Sequence, residues 1–206
     1  MSLVPLFVSA IYRKALTLPN KKRFNKELAE ECYNLRRIDE VGQSWSAKHY
    51  LGGYTSYSSY SNMHTWSSTF ALLEKKITPH VYRFLEAQGY DTKGKQLFMS
   101  NFWVNIMGHA TTHSWHIHPR SVVSGTYYVQ IPKDGVGIKF EDPRMNFMMS
   151  SLPKKPKLPT ELQNFVSVKP TEGDIVLFES WMRHEVPPNP SQTDRISVSF
   201  NYEWFE

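Results

Sequence analysis

The strongest constraint on the fold of this chain is a change of periodicity at Gly94. Before it lie two apolar stripes at helical spacing. Phe24, Leu28, Cys32 and Leu35 form the first, entered through Asn20 as a helix N-cap beside Pro19. Trp66, Phe70, Leu73, Ile77, Val81 and Phe84 form the second, which stops at Gly89, a residue suited to the left-handed position beyond a helix end. Beyond Gly94 the pattern becomes a series of short strand-like runs: 96–107, the segment around His116, 122–131, 136–140, 165–168, 174–178 and 195–202. Asp134-Gly135 reads as a hairpin turn between its two neighbours, and Gly173-Asp174 as a second turn. Residues 3–12 alternate loosely and suggest an opening strand. Residues 42–62 are polar and lack strong periodicity, so a loop with at most one short strand is expected there. The Pro- and Lys-rich stretch 145–164 is either a solvated excursion or a lid.

Helices followed by about seven or eight short strands predict a mainly β fold with flanking α. The expected form is a jelly-roll barrel with the N-terminal helices packed on the outside. A length of 206 residues suits a single domain, 1–206. Residues 1–94 would supply an N-terminal strand and supporting helices, and residues 95–206 the core. An aromatic share of 14% fits β packing. The net charge of +5 comes from scattered basic residues with no RNA-binding or helix-turn-helix signature, so a nucleic-acid role is not expected. Cys32 is the only cysteine, which excludes a disulfide framework and fits a reducing compartment. No run reaches the length of a membrane span, and residues 2–10 lack a basic leader, so the expected setting is cytoplasmic.

Against that background one set of residues carries chemistry. His116 and His118 stand at i and i+2, where a strand points both imidazoles to one face. His184 follows on a distant strand and can close a triangle of nitrogen ligands, the logic of a facial iron(II) site with positions left open. Arg195, with Ser197 two residues on, offers a fixed positive fork suited to a buried carboxylate. No Ser-His-Asp arrangement or nucleophile elbow accompanies them, and no catalytic residue beyond the metal site is expected.

The order of these motifs resembles the double-stranded β-helix core, a cupin-like jelly roll, of the 2-oxoglutarate/Fe(II) oxygenases, in particular the prolyl-hydroxylase branch and a group of bacterial and phage oxygenases. Ser124-Gly125-Thr126-Tyr127-Tyr128-Val129 is similar to the tyrosine-bearing strand after the first metal motif. Gly173-Asp174-Ile175-Val176-Leu177-Phe178 is similar to the strand before the distal histidine, and Arg195-Ile196-Ser197 to the final strand. The likeness spans roughly residues 96–206.

This resemblance implies His116, His118 and His184 as ligands to Fe(II). It also implies Arg195, Tyr128 and Ser197 as the holders of the distal carboxylate of 2-oxoglutarate. Tyr127 would face the opposite side and pack. The activity implied is hydroxylation of a small-molecule or peptidyl substrate with decarboxylation of 2-oxoglutarate to succinate. Asn105, Asn201 and Arg120 are weaker expectations for substrate or cosubstrate contact, each equally readable as a structural or surface residue.

His118 departs from the family, which has Asp or Glu at that position. Three neutral imidazoles leave the ion at its full charge and let zinc, nickel or cobalt compete with iron. Asp142 or Glu185 could instead complete the site, although neither lies at the motif spacing. His113, three residues from His116, would fall on the opposite face of a regular strand. Two alternatives stay open: a three-His cupin-type dioxygenase that does not use 2-oxoglutarate, and a non-catalytic metal- or ligand-binding jelly roll. Unpaired sheet edges are compatible with a homodimer.

Overall fold

The computed structural model describes residues 4–205. Two antiparallel sheets face each other. The larger has the order β1-β8-β5-β10-β3-β2, built from β1 (Tyr12–Ala15), β8 (Asp174–Glu179), β5 (Val123–Gln130), β10 (Arg195–Phe205), β3 (Gln96–Met107) and β2 (Gly53–Thr55). The smaller has the order β4-β9-β6-β7, built from β4 (His113–His116), β9 (His184–Val186), β6 (Ile138–Glu141) and β7 (Phe165–Val168). This is the jelly roll expected from the strand pattern, in the double-stranded β-helix form implied by the resemblance.

Strict alternation along the central strands separates the two faces of the larger sheet. Phe102, Val104 and Ile106 of β3, Ile196, Val198 and Phe200 of β10, and Tyr127 and Val129 of β5 point outward. There they join Leu28 and Cys32 of α1 (Lys21–Ile38) and Phe70, Leu73, Ile77 and Val81 of α3 (Ser68–Ala87) in one buried cluster. Tyr127 therefore packs as expected, its hydroxyl donating to Asn25 on α1. The intervening residues of these strands face the smaller sheet. The N-terminal half does more than cover the core, because β1 and β2 are both edge strands of the larger sheet.

Several local expectations are corrected. The opening strand lies later than residues 3–12, at Tyr12–Ala15; residue 3 falls outside the described residues, and residues 4–11 are not strand. A helix, α2 (Glu40–His49), occupies part of the stretch read as loop. It buries Gly42 and Ser46 rather than an apolar stripe, so hydrophobic periodicity could not reveal it. Asp39 caps it by accepting from the Gly42 N–H at 2.8 Å. Trp66 fits the second stripe by spacing but is exposed, because the hydroxyl of Ser67 caps α3 one residue later. Asp134-Gly135 is a turn, yet β5 and β6 lie in different sheets, so it carries the chain across the sandwich instead of closing a hairpin. The stretch 145–164 contains two short 3-10 turns and is closed at its base by Asp142 N–H donating to Asn164 O at 2.8 Å.

Candidate metal and carboxylate site

The inner faces of the sheets enclose a cleft with an empty volume of about 450 Å³, open solvent at its mouth included. The smaller sheet contributes the histidines. His116 and His184 are direct cross-strand partners on β4 and β9, with ring centroids 4.2 Å apart. His118 lies just past the end of β4, held by its N–H donating to Ser180 O at 3.0 Å. Its ring is 5.0 Å from that of His116 and 5.2 Å from that of His184. One nitrogen from each of the three comes within 4.8 Å of the others. That is a cluster a single divalent ion could draw together.

Two of these rings are anchored alike. His116 Nδ1 lies 2.6 Å from Ser114 O, and His184 Nδ1 lies 2.8 Å from Met182 O. A carbonyl can only accept, so each Nδ1 carries the proton and each Nε2 is left with its lone pair directed into the cleft. Burial holds all three imidazoles neutral. His184, wedged against Phe178 at 4.6 Å, is pushed down to about 2, and His118 to about 4; His116 is lowered as well, chiefly by desolvation. Neutral imidazole is the form that ligates. The acidic substitutes for His118 are engaged elsewhere: Glu185 pairs with Lys139 at 2.9 Å and Asp142 with Arg144 at 2.7 Å.

The larger sheet contributes the opposite wall. Arg195 is 2% exposed and sits opposite Met107 in the β10–β3 ladder. Its Nε donates to Val136 O at 3.2 Å, its Nη1 to Ser197 Oγ at 3.2 Å and to Met107 Sδ at 3.3 Å. The guanidinium lies 5.1 Å over the ring of Tyr128, which is the cross-strand partner of Ser197. No carboxylate among the described residues pairs with Arg195. A buried guanidinium without a counter-ion is costly unless an anionic ligand completes it.

Unpartnered polar atoms collect in the same place. Tyr128 Oη, Tyr50 Oη and Asn105 Oδ1 are buried without a hydrogen-bond partner, and all three residues line the cleft. Each such orphan costs about 1–3 kcal/mol unless satisfied. Burial raises the Tyr128 phenol, with Arg195 pulling the other way, so the phenol remains a donor at neutral pH. Asn105 Nδ2 donates to Ser199 Oγ at 3.1 Å, which holds the amide in the wall.

Seven of the residues expected from the sequence thus converge on the cleft: His116, His118, His184, Arg195, Tyr128, Ser197 and Asn105. Asn201 does not. It is buried beside Ser124, whose hydroxyl donates to its Oδ1 at 2.8 Å. Arg120 is exposed in a left-handed turn at φ 74°, away from the cleft lining.

Two lining residues escaped the sequence reading. A register irregularity between His113 and His116 brings His113 to the same side, stacked on His116 at 4.3 Å. Burial and the neighbouring His116 push it down to about 3. A bulge depends on the partner strand, so no local signal marks it. Tyr50 sits at the end of the unforeseen helix α2; Gly52-Gly53 immediately after it was the one available hint of a close backbone approach.

A double-stranded β-helix with a His/Arg-lined cleft between its sheets is the architecture of the non-haem oxygenases, and comparison with known proteins agrees. Residues 101–201, from within β3 to within β10, match the family described as "Putative 2OG-Fe(II) oxygenase". Every His, Arg, Tyr and Ser of the expected set falls inside that match. Over those residues the chain is similar to the 2-oxoglutarate/Fe(II) oxygenases. No curated protein matches its sequence.

Solved structures share the fold at low identity. A Pseudomonas putida prolyl-4-hydroxylase is 16% identical with a TM-score of 0.61, over 95% of this chain and 92% of that one. HygX from Streptomyces hygroscopicus, solved with nickel, 2-oxoglutarate and hygromycin B bound, is 14% identical with a TM-score of 0.60, over 95% and 83%. The viral collagen prolyl hydroxylase of Paramecium Bursaria Chlorella virus-1, solved as a 2OG complex, is 11% identical with a TM-score of 0.57, over 95% and 96%. The shared fold therefore extends through the N-terminal helices, beyond the residues that carry the sequence resemblance.

Proposed function

We propose that the protein is a 2-oxoglutarate- and Fe(II)-dependent dioxygenase that hydroxylates a small-molecule or peptidyl substrate. The overall change is balanced: 2-oxoglutarate, oxygen and a C–H bond give succinate, carbon dioxide and an alcohol. The observation that carries this reading is Arg195, a buried guanidinium with no carboxylate partner among the described residues, set beside the unpartnered phenol of Tyr128 in the cleft that holds three neutral histidines.

In this reading His116, His118 and His184 hold the metal, the first and last through Nε2 because their Nδ1 atoms are committed to carbonyls. Arg195 and Tyr128 hold the distal carboxylate of the cosubstrate, and Ser197 steadies the guanidinium. The bound iron and 2-oxoglutarate supply the oxygen activation and the oxidising power. The chain supplies orientation and a dry wall, built by Trp103, Ile138 and Phe178 around the histidines. With three neutral ligands the site leaves other divalent metals able to compete for it.

Anaerobic calorimetry of the iron-loaded protein with 2-oxoglutarate tests the proposal. Saturable binding that is lost in Arg195→Ala and His118→Ala supports it, and succinate formation then opens a substrate screen. A folded, iron-loaded protein that does not bind 2-oxoglutarate would sink it. A three-His dioxygenase without that cosubstrate, or a non-catalytic binding protein, would then take its place. His118 in an acidic position is the observation behind the latter.

Among the described residues no helix is long and apolar enough to cross a membrane. The buried thiol of Cys32 supports the cytoplasmic setting as part of the proposal. The exposed apolar residues Val4, Leu6, Phe7 and Val8 support pairing of two copies, which light scattering would test.

A further inference from the structure

The chain places a second phenol in the Arg195 pocket, and it comes from outside the β-helix core. Tyr50 closes the C-terminal end of α2, its N–H donating to Ser46 O at 2.8 Å. The chain then turns sharply, with Gly53 N–H donating back to Tyr50 O at 3.0 Å. It enters β2 so that Gly53 lies opposite Met107 on β3. Met107 in turn lies opposite Arg195 on β10.

This route lays the Tyr50 ring on Met107 and Val186, 5.5 Å from the ring of His113. The seat is tight. A Cβ added at Gly53 would stand 2.8 and 2.9 Å from carbons of the Tyr50 ring, so the ring rests where only glycine leaves room. At 5% exposure the residue is buried, its hydroxyl has no hydrogen-bond partner, and it lines the cleft. Burial pushes the phenol up and the Arg195 charge draws it back, so it carries its proton across the neutral range.

Arg195 itself is short of free donors. A guanidinium has five N–H groups. Val136 O takes the one on Nε, and Ser197 and Met107 take those on Nη1. Only Nη2 is left to meet a ligand. A carboxylate offers about four acceptor sites, so one nitrogen and the Tyr128 hydroxyl leave part of it unsatisfied. The Tyr50 hydroxyl is a further unpartnered donor beside Arg195.

We propose that Tyr50 is a further attachment point for the carboxylate held by Arg195, its hydroxyl donating to one carboxylate oxygen. The proposal rests on the 2-oxoglutarate reading and deepens it: a turn in the N-terminal half completes the cosubstrate pocket of the core.

The test is anaerobic calorimetry of the iron-loaded wild type and Tyr50→Phe with two keto acids. One is 2-oxoglutarate; the other is 2-oxobutyrate, which has the same metal-chelating end but no second carboxylate. Loss of one hydrogen bond to a charged group predicts about ten- to a hundredfold weaker 2-oxoglutarate binding in Tyr50→Phe. Binding of 2-oxobutyrate is expected to stay unchanged. The metal-free variant is expected to melt no lower than the wild type, because the hydroxyl it lacks had no partner to lose. Unchanged 2-oxoglutarate affinity overturns the proposal, and so does an equal loss for both keto acids. Failure of the wild type to bind 2-oxoglutarate is a different result: it removes the parent reading and this one with it.

Discussion

The histidine wall and the arginine wall of the cleft are made of unlike material. The histidines stand on strands of four and three residues, β4 and β9, at the edge and middle of a small sheet, with His116 and His118 partly open to solvent. Arg195, Ser197 and Tyr128 stand on strands of eleven and eight residues in the middle of the large sheet, fully enclosed. The difference follows from what each wall must hold in place. An imidazole needs only the right Cβ direction and one carbonyl to lock its rotation, which a short strand can supply. An unpaired guanidinium in a dry site needs every surrounding dipole fixed, which calls for long paired strands with a helical layer behind them.

The largest expected effect tests that dependence. A fragment of residues 95–206 keeps all the candidate metal ligands but loses α1, α3 and both edge strands of the large sheet, exposing Phe102, Val104, Ile196 and Phe200. It is expected not to fold cooperatively, read by loss of a sharp thermal transition. A fragment that folds and binds metal would show that the histidine wall is independent of the helical half.

Next come paired single substitutions that should separate the walls. His184→Ala removes a buried candidate ligand and is expected to cost metal affinity by more than the roughly 10–100-fold typical of an outer hydrogen-bond partner. Arg195→Met keeps the apolar stem without the charge. It is expected to weaken 2-oxoglutarate by about a hundredfold while metal affinity stays nearly constant. Metal titration followed by keto-acid titration checks both. Equal losses of metal in the two variants would mean the walls are coupled through Met107 and Val136.

Sequence reading reached the two walls unequally, for physical reasons. Alternation on β5 and β10 assigned Tyr128, Ser197 and Arg195 to one face and Tyr127 to the other, because a long strand paired on both sides keeps its period. The short histidine strand does not: a bulge turns His113 inward, and His118 lies beyond the strand end, placed by its bond to Ser180 instead of by pleating. Tyr50 was hidden for another reason. Its helix buries a glycine and a serine, and a small polar face leaves no periodic trace. Asp134-Gly135 marks a turn but not its destination, since turn chemistry is local and says nothing of which sheet the next strand joins.

Acid should distinguish the walls more gently. An unfolded histidine titrates near 6.5, whereas in the folded protein His113, His118 and His184 are pushed down to about 3, 4 and 2, and His116 is lowered. Well above pH 6.5 both states are neutral and stability does not depend on these groups. As pH falls through 6.5 towards the folded values, only the unfolded state gains protons, so stability drops. Each such histidine contributes at most about 1.4 kcal/mol per pH unit, and each kcal/mol is worth about 2–4 °C in Tm for a chain of this size. Thermal melts of the metal-free protein between pH 7 and 5 should show the decline, shallower in His184→Gln. An identical slope in that variant would assign the acid sensitivity to groups outside the cleft.

The smallest effect concerns Ser197, which touches the proposed anion site through Arg195. Its Oγ accepts from Nη1 at 3.2 Å, and Met107 Sδ shares the same nitrogen at 3.3 Å. Removing the hydroxyl in Ser197→Ala leaves the guanidinium its bond to Val136 O and its seat over Tyr128. The charge stays in the pocket and only its aim loosens. One hydrogen bond to a charged group among several predicts a loss of about three- to tenfold in 2-oxoglutarate affinity, below the usual range for such bonds because Met107 remains. Ser197→Thr keeps the hydroxyl and should recover most of it. A loss as large as that of Arg195→Met would mean that Ser197 meets the carboxylate directly. No loss at all would mean that the long strands alone hold the guanidinium, the extreme form of the contrast between the two walls.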